Sequence, residues 1–136
     1  MYEYEWTCRW DHLDPADQAY FPRLVNACHQ AGDAFMEHIG WPYWDNPEEH
    51  GMALPIVESG YQFRRPVKPG DTVTIAVDPD LGTSSVRLEF EATHEDGGTA
   101  FTGVEQHVCV PTGGDSSTPL PDGFREAVSE FLADEA

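Results

Sequence analysis

The chain is 136 residues long, 40% hydrophobic and 12% aromatic, which is one domain with enough apolar matter for a core and excludes intrinsic disorder. Its 25 acidic residues against 7 basic ones leave a net charge of -18, which argues against nucleic acid and against an anionic membrane surface as partners. No uninterrupted apolar run exceeds three residues, so no membrane span is expected, and the opening Met1-Tyr2-Glu3-Tyr4-Glu5 lacks the basic and apolar regions of a secretory signal.

Residues 2–10 alternate, with Tyr2, Tyr4, Trp6, Cys8 and Trp10 on one face and Glu3, Glu5, Thr7 and Arg9 on the other, which predicts a half-buried strand. A turn-like segment from Asp11 to Asp17 follows. Leu24, Cys28, Ala31, Phe35 and Ile39 then recur three or four apart, with Ala27 and Ala34 beside them, and predict an amphipathic helix of about five turns. Gly40 ends it and Pro42 follows. Residues 41–51 read as a loop, and Trp41, Tyr43 and Trp44 make it a packed flap rather than a floppy linker.

Four more strands are expected, over about 53–67, on Val73, Ile75 and Val77, on Val86, Leu88, Phe90 and Ala92, and over about 99–110. Turns at Lys68–Asp71, Asp78–Gly82 and Glu95–Gly98 separate them and imply an antiparallel meander. Residues 111–121 are rich in Pro, Gly, Ser and Thr and read as an exposed linker. A tail helix follows, with Asp122 placed as a cap and Phe124, Ala127, Val128, Phe131 and Leu132 sharing a face. The order predicts an α+β fold, a five-stranded antiparallel sheet around one long helix over residues 1–112, with residues 113–136 as linker and short C-terminal helix. Its edge strands call for a second copy.

Cys8, Cys28 and Cys109 fit neither a disulfide framework nor a zinc spacing and read as buried thiols of a reducing, cytoplasmic compartment. Asp14 is the best candidate for chemistry. It lies between a strand end and a helix start, where backbone N–H groups are free to hold a carboxylate or polarise a carbonyl oxygen. A plain turn or capping role is the alternative. Cys28 and His29 are neighbours on a helix, so they point about 100° apart and make a poor nucleophile–base pair. His12, His29, His38, His50, Cys8 and Asp11 show no metal-ligand spacing. Glu58 reads either as a second carboxylate near the site or as a solvated residue.

The run Trp10-Asp11-His12-Leu13-Asp14-Pro15-Ala16-Asp17-Gln18-Ala19-Tyr20-Phe21-Pro22 resembles the N-terminal motif of hotdog-fold acyl-CoA thioesterases, specifically the 4-hydroxybenzoyl-CoA thioesterase group. Further matches are Tyr61 through Asp71, Gly82-Thr83-Ser84-Ser85, and Val104 through Val110, in the family's order. The scarcity of Lys, with dispersed Asp and Glu, is similar to proteins of salt-loving archaea, in which salt screens self-repulsion.

The resemblance implies a hotdog fold and hydrolysis of an acyl-CoA or acyl-carrier thioester. Asp14 matches the catalytic aspartate, as base or nucleophile. Phe21 matches the aromatic whose N–H polarises the thioester carbonyl. Ser84 and Ser85 lie where the family contacts the CoA arm. Arg64 and Arg65 could serve CoA phosphates across a subunit boundary, or pair with surface acids. The family's usual Gly and its neighbour are replaced by Asp17 and Gln18, and a basic cluster seen in some relatives near residues 82–84 is absent. The expected assembly is a homodimer or homotetramer with sites at the subunit interface. The expected partner is a small acyl-CoA, with no metal and no cofactor beyond the substrate's own CoA. Two other readings stay open, a hotdog dehydratase or hydratase using Asp14 with His29, and a non-catalytic acyl-thioester binder.

Overall fold

Period-two alternation builds most of the sheet, and one 18-residue helix covers it. The computed structural model describes residues 1–132. In chain order the elements are β1 (Tyr2–Thr7), α1 (Phe21–His38), α2 (Asn46–His50), β2 (Met52–Ala53), β3 (Ile56–Phe63), β4 (Thr72–Leu81), β5 (Ser85–Thr93), β6 (Thr99–Val108), β7 (Val110–Pro111) and α3 (Asp122–Val128). Single 3-10 turns lie at Trp10–His12 and Ser129–Phe131. The main sheet is antiparallel in the order β1-β4-β5-β6-β3, and β2 pairs separately with β7.

The expected α+β arrangement is observed, but not as a simple meander. The first of the four expected strands, β3, pairs with β6 at the far edge, and β1 takes the place beside β4. The proposed turn at Asp78–Gly82 is mostly strand. Pro79 sits in β4 opposite Leu88, beyond the Tyr2–Val77 pair at which β1 begins, so its missing N–H removes no ladder bond on that side. The chain reverses at Gly82, whose N–H donates to the Ser85 carbonyl at 2.9 Å.

The first strand stops at Thr7 rather than residue 10. Cys8 still pairs with the 70–71 turn, but Trp10 enters a 3-10 turn and is 83% exposed. The loop over 41–51 holds the short helix α2. Residues 112–117 are exposed, as expected of a linker, but its end is tied down, because Thr118 and Leu120 donate backbone bonds to Cys109 and Thr83 and Leu120 is buried. The tail helix starts at Asp122 without a side-chain cap, and its Phe124 and Val128 are buried. Residues 133–136 of the expected tail lie outside the described residues.

Leu24, Ala27, Cys28, Ala31, Phe35 and Met36 of α1 face Val73, Ile75 and Val77 of β4, Val86, Leu88, Phe90 and Ala92 of β5, and Phe101 of β6 in one core. Gly103 of β6 sits tightly between Tyr61 of β3 and Cys28 of α1. A Cβ there would sit 2.7 Å from Tyr61 Cδ1 and 3.1 Å from Cys28 Sγ. Gly103→Ala is expected to lower stability by about 1–3 kcal/mol in urea titrations, because the Tyr61 ring and the buried Cys28 thiol must both shift to admit the methyl. No described helix is long and apolar enough to cross a membrane.

Candidate active site

The segment between β1 and α1 folds into a small hairpin-like loop closed by a Leu13–Ala19 bridge. At its tip the Asp14 carbonyl accepts from the Asp17 N–H at 3.0 Å, and the Asp14 N–H donates to the Gln18 carbonyl at 2.8 Å. Asp17 has a φ of +58°, a left-handed conformation that Asp tolerates better than most residues and that explains why Gly is the usual occupant in the resembling family. The side chain of Asp14 turns back on the loop. Its Oδ1 accepts from the Ala16 N–H at 2.8 Å and more weakly from the Gln18 N–H at 3.4 Å. These donors come from the turn itself, not from the helix end as the sequence suggested. They fix Oδ1 and leave Oδ2 for other chemistry.

Phe21 opens α1, and Pro22 follows it without an N–H to offer. The Phe21 N–H is one of the orphan donors of a helix start. Among the described residues no backbone carbonyl accepts from it. Asp14 and Phe21 line one cleft of about 540 Å³, together with Tyr20, Phe63, Arg64 and Arg65. Phe21 and Phe63 meet edge to face at 6.0 Å across it. Four of the six sequence-predicted site residues therefore converge.

The arginines are not equivalent. Arg65 makes a two-pronged pair with Asp96 at 3.0 and 3.1 Å on the surface. Arg64 donates to the Gln62 side chain at 2.6 Å and has no carboxylate partner among the described residues. Ser84 and Ser85 are elsewhere. They sit at the β4–β5 turn beside Cys109, Val108 and Gly82 and do not line the cleft.

A second polar grouping escaped the sequence reading. Glu105 and His107, both 1% exposed, point from β6 into the core. Glu105 Oε1 accepts from His107 Nε2 at 3.1 Å, and its Oε2 accepts from His29 Nδ1 of α1 at 3.2 Å. His107 Nδ1 is anchored on the Leu54 carbonyl at 2.9 Å. Burial pushes the Glu105 carboxyl up, but the bonds from His107 and His29 outweigh it and hold it at about 2. The hydrogen bond to Glu105 raises His29 against the effect of burial. Burial, with the Glu105 charge, pushes the nearby Cys28 thiol up to about 12, which keeps it inert as a nucleophile. His29 and Asp33 face a second cleft of about 600 Å³ with Tyr43, Trp44, Leu54 and Ile56. Among the described residues no three His, Cys, Asp or Glu side chains are grouped as metal ligands.

Residues 8–128 match the family described as the thioesterase-like superfamily. The chain is 27% identical over 121 residues to the 1,4-dihydroxy-2-naphthoyl-CoA hydrolase of Thermosynechococcus vestitus, covering 88% of this chain and 83% of that protein. It is 32% identical over 98 residues to the protein of the same name from Rippkaea orientalis, covering 71% and 68%. Among solved structures, a 1,4-dihydroxy-2-naphthoyl-CoA thioesterase from Synechocystis superposes with a TM-score of 0.87 at 20% identity, over 94% of this chain and 95% of that one.

Proposed function

Since the chain belongs to the thioesterase-like superfamily, we propose that it hydrolyses an acyl-CoA thioester to the free acid and coenzyme A, with Asp14 as base or nucleophile. The observation that supports this reading is that Asp14 and Phe21, whose N–H finds no acceptor among the described residues, line one cleft. With Asp14 as base, Oδ2 takes a proton from water as the water oxygen bonds to the thioester carbon. The carbonyl oxygen gathers negative charge against the Phe21 N–H. Collapse breaks the C–S bond, and the proton held by Asp14 passes to the thiolate. With Asp14 as nucleophile, its oxygen forms an anhydride and expels the thiolate, and water then releases the acid and regenerates the carboxylate. The names of the relatives favour an aromatic acyl group.

The proposal includes a second copy of the chain. β3 is an edge strand exposed at almost every position, with Ile56, Val57 and Phe63 all more than 40% exposed. Antiparallel pairing of β3 with β3 of a second copy covers this edge. Ile56 and Phe63 lie at opposite ends of β3, so this pairing brings the Ile56 end of one copy beside the Phe63 end of the other. The two clefts, which hold those residues separately in one chain, then run together. On this reading Arg64 and Arg65 meet the CoA arm at the cleft rim, and Ser84 and Ser85 reach it only from another copy.

The test is thiol release from aryl, short-chain and long-chain acyl-CoAs in molar KCl, where the self-repulsion of a net charge of -18 is screened. Aryl-CoA turnover by a dimeric species is expected. A folded dimer that binds these esters without turnover overturns the hydrolase reading in favour of a binding role.

A further inference from the structure

The His29 cleft has a use beyond the hydrolysis itself. Its walls are flat and apolar. The Tyr43 ring lies nearly parallel to His29, at 8°, and to His107, at 13°, and Leu54, Pro55, Ile56 and Val110 complete the lining. Its polar content is concentrated at one place. His29 Nδ1 is tied to the buried Glu105, so Nε2 is the nitrogen turned to the cleft, 3.6 Å from Asp33 Oδ1. Both His29 and Asp33 are 40% exposed at their side chains, so they are reachable. In the imidazolium form Nε2 donates and Asp33 Oδ1 accepts, and the two side by side at the edge of a largely apolar cleft match a group that is donor and acceptor at once on the edge of a planar ring.

We propose that His29 and Asp33 form a specificity subsite for a ring hydroxyl of an aromatic acyl group. With the His29 ring protonated on both nitrogens, Nδ1 donating to Glu105, Nε2 donates to the hydroxyl oxygen, and Asp33 accepts the hydroxyl proton. Glu105, seated on His107 and through it on the Leu54 carbonyl, is the positioning residue that fixes the His29 ring. Tyr43, whose hydroxyl burial pushes up and keeps neutral, supplies one wall. This inference rests on the hydrolase reading and on the second copy. Within one chain Phe21 and His29 are eight residues apart, about 12 Å along the helix axis, which a single bicyclic acyl group does not span with room for the thioester. Pairing of β3 with a second copy instead places this cleft beside that copy's own Asp14 cleft.

The experiment compares kcat/KM for 1,4-dihydroxy-2-naphthoyl-CoA and 2-naphthoyl-CoA, and the binding of the two free acids by tryptophan fluorescence. The expected wild-type preference for the hydroxylated compound is about tenfold or more, the worth of a hydrogen bond to a charged group. His29→Leu brings the ratio close to one, and His29→Gln, which keeps a donor, restores part of it. An unchanged ratio in His29→Leu overturns the subsite, as does a wild-type ratio near one. If no ester is hydrolysed but the free acids still differ tenfold in a His29-dependent way, the hydrolase reading falls and the subsite stands.

Discussion

Replacing Asp14 with Asn lowers kcat by about 10²- to 10⁴-fold, the usual contribution of a positioned acid–base group, while KM and folding change little. The asymmetry follows from the geometry of the loop. Oδ1 is the atom that accepts from Ala16 and Gln18, and an Asn oxygen accepts the same two bonds. The turn therefore keeps its shape. What disappears is the basic second oxygen, which in Asn becomes an amide nitrogen without a free lone pair. Thiol-release kinetics with circular dichroism on both proteins check this. Turnover by the folded variant at the wild-type rate removes Asp14 from the chemistry.

The largest stability effect belongs to Glu105→Ala, expected to cost about 3–5 kcal/mol in urea titrations. The truncation strands two imidazoles, one of them fully buried, that were satisfied by a single carboxylate. The same contact predicts how stability follows pH. Glu105 falls from an ordinary 4.5 to about 2 in the fold, so its contribution is present above pH 4.5 and is lost as pH falls toward 2. His29 is raised above 6.5, so its share is present below that pH and fades as pH climbs through the raised value. Glu105→Gln, which keeps the size and one acceptor, is expected to flatten the acid limb while costing less than Glu105→Ala. An unaltered acid limb in Glu105→Gln overturns this assignment.

How much could be read beforehand depended on range. The apolar spacing of Leu24, Cys28, Ala31 and Phe35 is a local signal, and α1 ends within a residue or two of where Gly40 and Pro42 place it. Alternation in β4 and β5 is equally local, and their buried faces are the ones expected. The place of β3 was not legible, because nothing in its own residues says whether its neighbour is β4 or β6. Pro79 was misleading for a related reason. Proline reads as a turn unless it is known that β1, which begins opposite Val77, does not reach it.

The cleft around Asp14 was legible only through resemblance, since its residues 14, 21 and 63–65 come from separate elements. The His29–Glu105 contact joins residues 76 positions apart and leaves no trace in either neighbourhood. One signal did exist. Phe101, Glu105 and His107 fall on the inward face of β6, and two ionisable groups at inward positions call for a buried partner.

The placement of β1 also governs the order in which the molecule can be completed. Trp6 pairs with Val73 and Tyr2 with Val77, so the first strand has no sheet to join until β4 has been synthesised. β4, β5 and β6 are successive hairpins and need only short loops to close. On the ribosome the apolar face of α1 therefore waits, uncovered, for more than half of the chain to emerge. The interval in which this protein is most exposed to misassociation lasts until β4, β5 and β6 have left the exit tunnel and closed over α1.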